Sequence, residues 1–234
     1  MDAEQQAGCA EAPSIVAAAQ GDVVIFEVGP DRKQFRVHAA LLVYHSEYFR
    51  NALRGPWKEA REGFIPLEDI EPLTFKLFVH WLYTQEMPEL HDEEGWRPVV
   101  GMNVWDMDQG WAKMLLLLVK AYMFGDRFLA SRFRREANSA FCTSLTCGSL
   151  DGPIRWQTVE YTFANIPPER PILQRIVDEH CQYWEQQDEE DEDLADQQDL
   201  PYDFLVRVMK RHSELRGTDI SCVKCYLEHV NDEE

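Results

Sequence analysis

The pattern of apolar and polar positions predicts a β-hairpin near the start of the chain. β-Favouring residues at positions 23–28 run into a Gly-Pro-Asp turn at positions 29–31. After this turn Phe35 and Val37 alternate with polar residues, a pattern typical of a strand with one buried face. We therefore expect two antiparallel strands that turn their apolar side towards a core.

A third strand and several short helices follow the hairpin. Residues 64–67 read as a strand, and Pro66 within it favours an edge position because proline cannot donate a ladder hydrogen bond. Helical spacing begins at residues 38–42, and Ser46 is a candidate N-cap for the next helix. Pro72 fits the first turn of a further, strongly apolar helix, where its missing N–H costs nothing.

Periodicity is lost between residues 85 and 110, which predicts a long variable loop. Residues 111–124 then form an apolar stretch typical of a buried helix, and residues 127–135 suggest a basic helix. The four arginines of that helix are expected to pair with acids of the same chain.

Everything after residue 150 is predicted to be helical. One amphipathic helix has Ile172, Leu173, Ile176, Val177, Tyr183 and Trp184 on its apolar face, and Arg175, Asp178, Glu179 and Gln182 on the other. A second carries Phe204, Leu205, Val208 and Met209. Strands and helices thus come first and helices alone afterwards, which predicts an α+β fold with a helical extension.

The charge pattern narrows the classes of function. With 42 acidic and 23 basic residues the net charge is -19, which disfavours direct nucleic-acid binding. Residues 185–199 are strongly acidic and read as a solvated linker between helices. No apolar run is long enough to span a membrane, and the start of the chain does not resemble a secretion signal. These features predict an intracellular chain, in the cytoplasm, the nucleus or both, with reduced cysteines.

Several blocks together carry a family resemblance. They are residues 21–25 (GDVVI), 35–42 (FRVHAALL), 46–49 (SEYF), 65–70 (IPLEDI) and 78–84 (FVHWLYT). In this order and spacing they resemble a BTB/POZ domain. The resemblance implies a flexible N-terminal segment at 1–20, a BTB/POZ domain at 21–135 with its variable loop at about 85–110, and a helical extension at 136–234 that resembles the fungal type.

What the resemblance implies is a short β-sheet with packed helices, and no catalytic chemistry. Its expected signature residues are Asp22, His38, Ser46, Phe49 and Tyr83. From the residues alone, Asp22 can satisfy backbone donors at a turn, and His38 can bridge the end of a strand to the start of a helix. Members of the family are interaction modules that dimerise and recruit partners, so no enzyme activity and no cofactor are expected.

One local feature favours a particular partner. Trp57-Lys58-Glu59 resembles the pattern of a bulky apolar residue, any residue and glutamate that family adaptors place in the loop facing a cullin. An aromatic anchor beside a carboxylate suits a small binding hot spot. The leading interpretation is therefore a substrate adaptor for a cullin-type ubiquitin ligase, with an unidentified target. The alternative is an oligomerisation or scaffold protein in transcriptional or signalling complexes, independent of ubiquitin; a homodimer is left open.

The sequence gives only weak signals for a metal site and none for a known catalytic motif. Cys222 and Cys225, with His229 nearby, offer the spacing of half a zinc site, but a closed structural site needs four ligands. No nucleophile elbow, P-loop or Gly-rich dinucleotide motif is present. No metal is therefore predicted.

Overall fold

The structure, a computed structural model, describes residues 12–54, 64–89, 93–101, 110–147, 154–183 and 200–214. It divides into two compact units, Met1–Ile70 and Glu71–Glu234. The first contains strands and short helices, and the described elements of the second are all helices. This arrangement confirms the predicted α+β class with a helical C-terminal region.

The first unit is built on a three-stranded sheet. Its elements are α1 (Ile15–Ala18), β1 (Val23–Val28), β2 (Lys33–His38), α2 (Ala39–His45), α3 (Glu47–Arg54) and β3 (Phe64–Leu67). The strand order is β2-β1-β3, with β2 antiparallel and β3 parallel to β1. The hairpin is confirmed, and so is the edge position of β3, where Pro66 lies opposite Glu27.

The alternation of buried and more exposed side chains along β1 directs three apolar residues into the core of this unit. Val24, Phe26 and Val28 point to the buried side of the sheet. The ring of Phe26 meets the fully buried ring of Phe49 edge-on, with 5.4 Å between the centroids. This aromatic contact is a favourable geometry and fixes α3 against the sheet. Phe49, a predicted signature residue, is thus a core residue.

The second unit consists of longer helices. They are α4 (Pro72–Thr84), α5 (Glu93–Val100), α6 (Gly110–Arg127), α7 (Ser131–Cys147), α8 (Trp156–Asn165), α9 (Pro171–Tyr183) and α10 (Tyr202–Glu214). Aromatic rings from α4, α6 and α7 pack against one another in the core of this unit. The ring centroid of Phe78 lies 4.7 Å from that of Phe124 and 5.1 Å from that of Phe133. No helix in the described ranges is long and apolar enough to cross a bilayer.

Two expectations about this unit differ from the structure. Helix α5 lies within the segment predicted to be a loop, because Trp96 is almost fully buried and α5 packs on α4. The predicted basic helix at 127–135 is instead split between α6 and α7. The break falls at Phe128, Leu129 and Ala130, and Leu129 adopts a left-handed conformation with φ 49°.

The predicted polar face of α9 is also buried. Arg175, Asp178 and Glu179 were expected opposite the apolar face, yet the structure gives all three little exposure to solvent. Helices α7, α8 and α10 all contact α9 and cover these three side chains, whereas Gln182 and Tyr183 in its last turn are exposed. The amphipathic pattern therefore identified the helix but not its surroundings.

Candidate partner-binding surfaces

The α2–α3 corner is held by Ser46. Its Oγ accepts a hydrogen bond of 3.0 Å from the backbone N–H of Phe49, and its carbonyl accepts one of 2.9 Å from Arg50 N–H. These are the contacts of an N-cap residue, which satisfies N–H groups that the helix itself cannot. The predicted capping role of Ser46 is confirmed.

Arg50 ties α3 back to α2. Its guanidinium donates from Nε to the carbonyl of Val43 at 2.9 Å and from a terminal nitrogen to the carbonyl of Tyr44 at 3.2 Å. Carbonyls in the last turn of a helix have no partner within the helix, so these bonds satisfy them. The corner is thus fixed from both sides, by a cap on α3 and by an arginine on the end of α2.

This corner presents an exposed face on α3. Glu47, Tyr48 and Asn51 are exposed, and Tyr48 retains 43% of its accessible surface. The Tyr48 ring stands edge-on to Phe49 at 5.3 Å, so its orientation is set by a core residue. An aromatic side chain held in this way loses little entropy when a partner covers it.

Trp57 and Glu59, the predicted cullin-facing residues, belong to the connection between α3 and β3. They lie outside the described residues, which stop at Arg54 and resume at Phe64. Their role stays a prediction. The adjoining elements, α3 and β3, belong to the same compact unit.

The other signature residues have different positions. Asp22 acts through its backbone, because its carbonyl accepts a 2.8 Å hydrogen bond from Ala39 N–H at the start of α2. His38 is the N-cap residue of α2, but its side chain makes no capping hydrogen bond. The backbone hydrogen bond between Ala39 and Asp22 links the start of α2 to the residue before β1, and the wider bridging role of the His38 side chain stays a prediction. Tyr83 is half-buried in the last turn of α4.

These features agree with one known family. The family model described as BTB/POZ domain matches residues 20–94. The chain contains a BTB/POZ domain. This family consists of non-enzymatic interaction domains that mediate protein–protein contacts and dimerisation. The match covers the three strands, α2, α3, α4 and the first two residues of α5, together with the segment that holds Trp57 and Glu59.

Beyond the matched residues, the helical region of the chain has a polar cluster. Arg211 on α10 donates from Nε to Asp178 on α9 over 2.6 Å, and Gln174 donates to the same carboxylate at 2.9 Å. On α9 itself Arg175 and Glu179 form an ion pair of 2.6 Å with side chains almost fully buried. Burial outweighs the charge of Arg175 and raises the pKa of Glu179 above its usual value.

His180 lies on the α10 side of this cluster. Its ring is 4.9 Å from the ring of Trp156 and 5.2 Å from that of Phe204. Burial, with a smaller contribution from the charge of His212, lowers the pKa of His180 to about 4. His180 is therefore a neutral ring at physiological pH and a member of the interhelical core.

The thiol of Cys181 on α9 is not activated as a nucleophile. Burial and the nearby charge of Asp178 raise the pKa of the Cys181 thiol to about 11, so it is almost wholly protonated at neutral pH and a poor nucleophile. Within the described ranges no three His, Cys, Asp or Glu residues are placed to hold a metal ion. Cys222, Cys225 and His229 lie outside those ranges.

The arginines around the α6–α7 junction pair with acids of the same chain, as predicted for Arg132 and Arg134. Arg134 donates to Asp126 at 2.7 Å, and Arg170 donates to the same oxygen at 2.6 Å. Arg132 donates to Glu136 at 2.9 Å. The pairs to Asp126 join different elements and the Arg132–Glu136 pair lies within α7, so all three guanidinium groups already have a carboxylate partner, which reduces what is available to a phosphate backbone.

Proposed function

We propose that this protein is a substrate adaptor for a cullin-type ubiquitin ligase. The BTB/POZ match at residues 20–94 carries the interaction-module part of this proposal. The cullin part rests on Trp57 and Glu59 between α3 and β3, at the place where the family's adaptors carry the corresponding pattern. The target would bind elsewhere on the chain.

The α3 corner supports this proposal. Tyr48 is exposed on a helix fixed by Ser46 and Arg50, and this helix leads directly into the segment with Trp57. Aromatic residues set on a rigid base are typical of binding hot spots. The exposed Tyr48 ring and Glu47 carboxylate on α3 would suit a partner with an apolar pocket bordered by basic groups.

The alternative is a scaffold or oligomerisation protein that acts without ubiquitin. Dimerisation is a property of the family, and it needs no cullin. The family match alone fits this alternative as well as it fits an adaptor. The two functions differ in one measurable property, the direct binding of a cullin.

The test is calorimetric titration of the full-length chain with the N-terminal domain of the BTB-binding cullin from the same organism. We expect a Kd of about 1 μM or tighter, as for a specific interface of modest size. The Trp57→Ala/Glu59→Ala double variant should weaken binding at least about tenfold, since hot-spot truncations commonly cost more than 1 kcal/mol each.

The matched control is Lys58→Ala, which changes the intervening position of the same tripeptide and should leave the affinity nearly unchanged. Circular dichroism of each variant checks that it is folded. If folded wild-type protein does not bind the cullin domain, the adaptor function is wrong and the scaffold function stands. If Lys58→Ala weakens binding as much as the double variant does, the two named side chains are not the contact.

A further inference from the structure

Helix α10 has an apolar stripe on the side away from the rest of the helical unit. Tyr202, Leu205 and Met209 retain 81%, 43% and 73% of their accessible surface, and Val206 between them is partly exposed. The opposite side of α10 is docked: Phe204 is buried against Trp156 and Phe163, and Arg211 pairs with Asp178. The stripe is thus not needed to attach α10 to α8 and α9.

The spacing of the stripe is that of a helix-pairing seam. Tyr202, Val206 and Met209 are four and three residues apart, the interval at which side chains line up along the contact between two helices. Leu205 borders the seam on one side, and Asp203 and Lys210 border it on the other. Asp203 and Lys210 are seven residues apart, so they occupy equivalent positions on the same side of the seam.

This arrangement is complementary to itself. When two copies of such a helix pair antiparallel, residues on one side of the seam face the same side in the partner copy. Asp203 accepts a 2.8 Å hydrogen bond from Arg207 Nε through one carboxylate oxygen, and its side chain remains 55% exposed. In the antiparallel pair this exposed carboxylate of each copy meets Lys210 of the other, and Tyr202 meets Met209, in a contact with two-fold symmetry. Antiparallel pairing also places the negative end of each helix dipole beside the positive end of its partner.

We propose that the exposed stripe of α10, made of Tyr202, Leu205, Val206 and Met209, binds the same stripe of a second copy of this chain in an antiparallel pair. The occupant is a second copy because the seam carries both members of its own ion pair. The charge of the helix also permits two copies to approach. Although the whole chain has a net charge of -19, Tyr202–Glu214 contains only two acidic residues beside the basic residues Arg207, Lys210 and Arg211. This surface is separate from the BTB/POZ match and does not depend on cullin binding.

The size of the stripe limits the strength of the pair. One face of a 13-residue helix covers much less than the ~800 Å² per partner of a standard interface. Association is therefore expected to be reversible, with a Kd on the order of 100 μM for two free copies. Copies brought together by a BTB/POZ contact would pair more readily, since their effective concentration is higher.

The experiment is sedimentation of the full-length chain at about 150 mM salt over concentrations from about 5 to 500 μM, where exposed charges beyond about 8 Å are screened. We expect a concentration-dependent association step. Leu205→Gln/Met209→Gln should lose that step and stay folded, because both side chains are exposed. Absence of any such step in the wild-type chain, or its persistence in this variant, would overturn the proposal.

A charge exchange distinguishes antiparallel self-pairing from other apolar contacts. Asp203→Lys alone and Lys210→Asp alone should each weaken the association about three- to tenfold, because each places like charges opposite one another. An equimolar mixture of the two variants should restore it, since one chain then carries two cations beside the seam and the other two anions. Equal association of the separate variants and their mixture would show that this register is wrong.

Discussion

Arg211 and Asp178 form the contact that fastens α10 to α9. The Arg211 guanidinium donates from Nε to one carboxylate oxygen at 2.6 Å and reaches the other at 3.4 Å, while the Asp178 side chain retains only 2% exposure. A carboxylate so far removed from water is tolerated because a planar guanidinium can meet both of its oxygens. Removal of only one partner would leave a buried charge with too little compensation.

We therefore expect Arg211→Met to be strongly destabilising. The free energy of unfolding should fall by about 3 kcal/mol, somewhat below the usual cost of breaking a fully buried pair because Arg211 itself is partly exposed. Urea unfolding followed by circular dichroism measures this change.

Two further variants test the cause. Adding Asp178→Leu to Arg211→Met should recover much of the loss, since the buried charge is then gone. Arg132→Met is the control. It removes the more exposed ion pair between Arg132 and Glu136, which lie one turn apart on α7, and should lower the free energy of unfolding by less than about 1 kcal/mol. If the double variant were less stable than the single one, the buried carboxylate would not be the source of the effect.

His180 should make the helical unit sensitive to acid. Its pKa is lowered to about 4 by burial, whereas an unfolded histidine titrates near ~6.5. As the pH falls from about 6.5 to about 4, the unfolded chain takes up a proton that the folded chain refuses. The free energy of unfolding should therefore decrease by about 3 kcal/mol across this window, with no such change above it.

The measurement compares the pH dependence of stability in the wild type and in His180→Phe, which keeps a ring between Trp156 and Phe204. The raised pKa of Glu179 acts in the opposite direction, because the folded chain protonates that group first on acidification. Only the difference between the two proteins isolates His180. Parallel curves between pH 4 and 6.5 would contradict the neutral, buried state assigned to this ring.

The sequence predicted elements whose signals are local. Ser46 stands just before an apolar helical pattern, and Pro66 marks an edge strand, because capping and ladder hydrogen bonds involve residues a few positions apart. The start of α2 was predicted less completely, because the sequence did not indicate the backbone hydrogen bond from Ala39 N–H to the carbonyl of Asp22.

The parts that were missed depend on distant residues. Helical spacing assigns Asp178 to a solvent face, because the sequence does not show that the fold brings Arg211, 33 positions later, to its carboxylate. Helix α5 contains Gly95 and Pro98, both unfavourable in a helix interior, and it forms nonetheless with Trp96 buried. Tertiary burial outweighs local propensity in such cases, and one sequence without its fold does not show where the burial occurs.

The cap at Ser46 should contribute measurably to stability. Ser46→Ala removes the hydrogen bond to Phe49 N–H in a buried position and should cost about 1–2 kcal/mol. Ser14→Ala is the matched control, because Ser14 caps the four-residue α1 by an exposed bond to Ala17 N–H. Its cost should stay below about 0.5 kcal/mol, as for an ordinary surface change. If thermal unfolding showed that Ser46→Ala and Ser14→Ala lower the stability equally, the cap at the α2–α3 corner would contribute no more than the exposed cap of α1.

At Gly125 the backbone of α6 lies close to the backbone of Arg134 on α7. A Cβ added there would lie 2.8 Å from the backbone nitrogen of Arg134 and 2.9 Å from its Cα, so the neighbouring helix itself would have to move. Alanine normally stabilises a helix interior by about 1 kcal/mol relative to glycine, but here the clash should reverse the sign.

We expect Gly125→Ala to lower the free energy of unfolding by about 2 kcal/mol or more, measured by urea unfolding. Gly21→Ala is the control, since its added Cβ would meet only the carbonyl oxygen of Ala18 at 3.3 Å, and its effect should be small. The clash would also disturb the α6–α7 junction, where Arg134 and Arg170 share Asp126. A Gly125→Ala protein as stable as the wild type would mean that α6 and α7 are farther apart in solution than the structure places them.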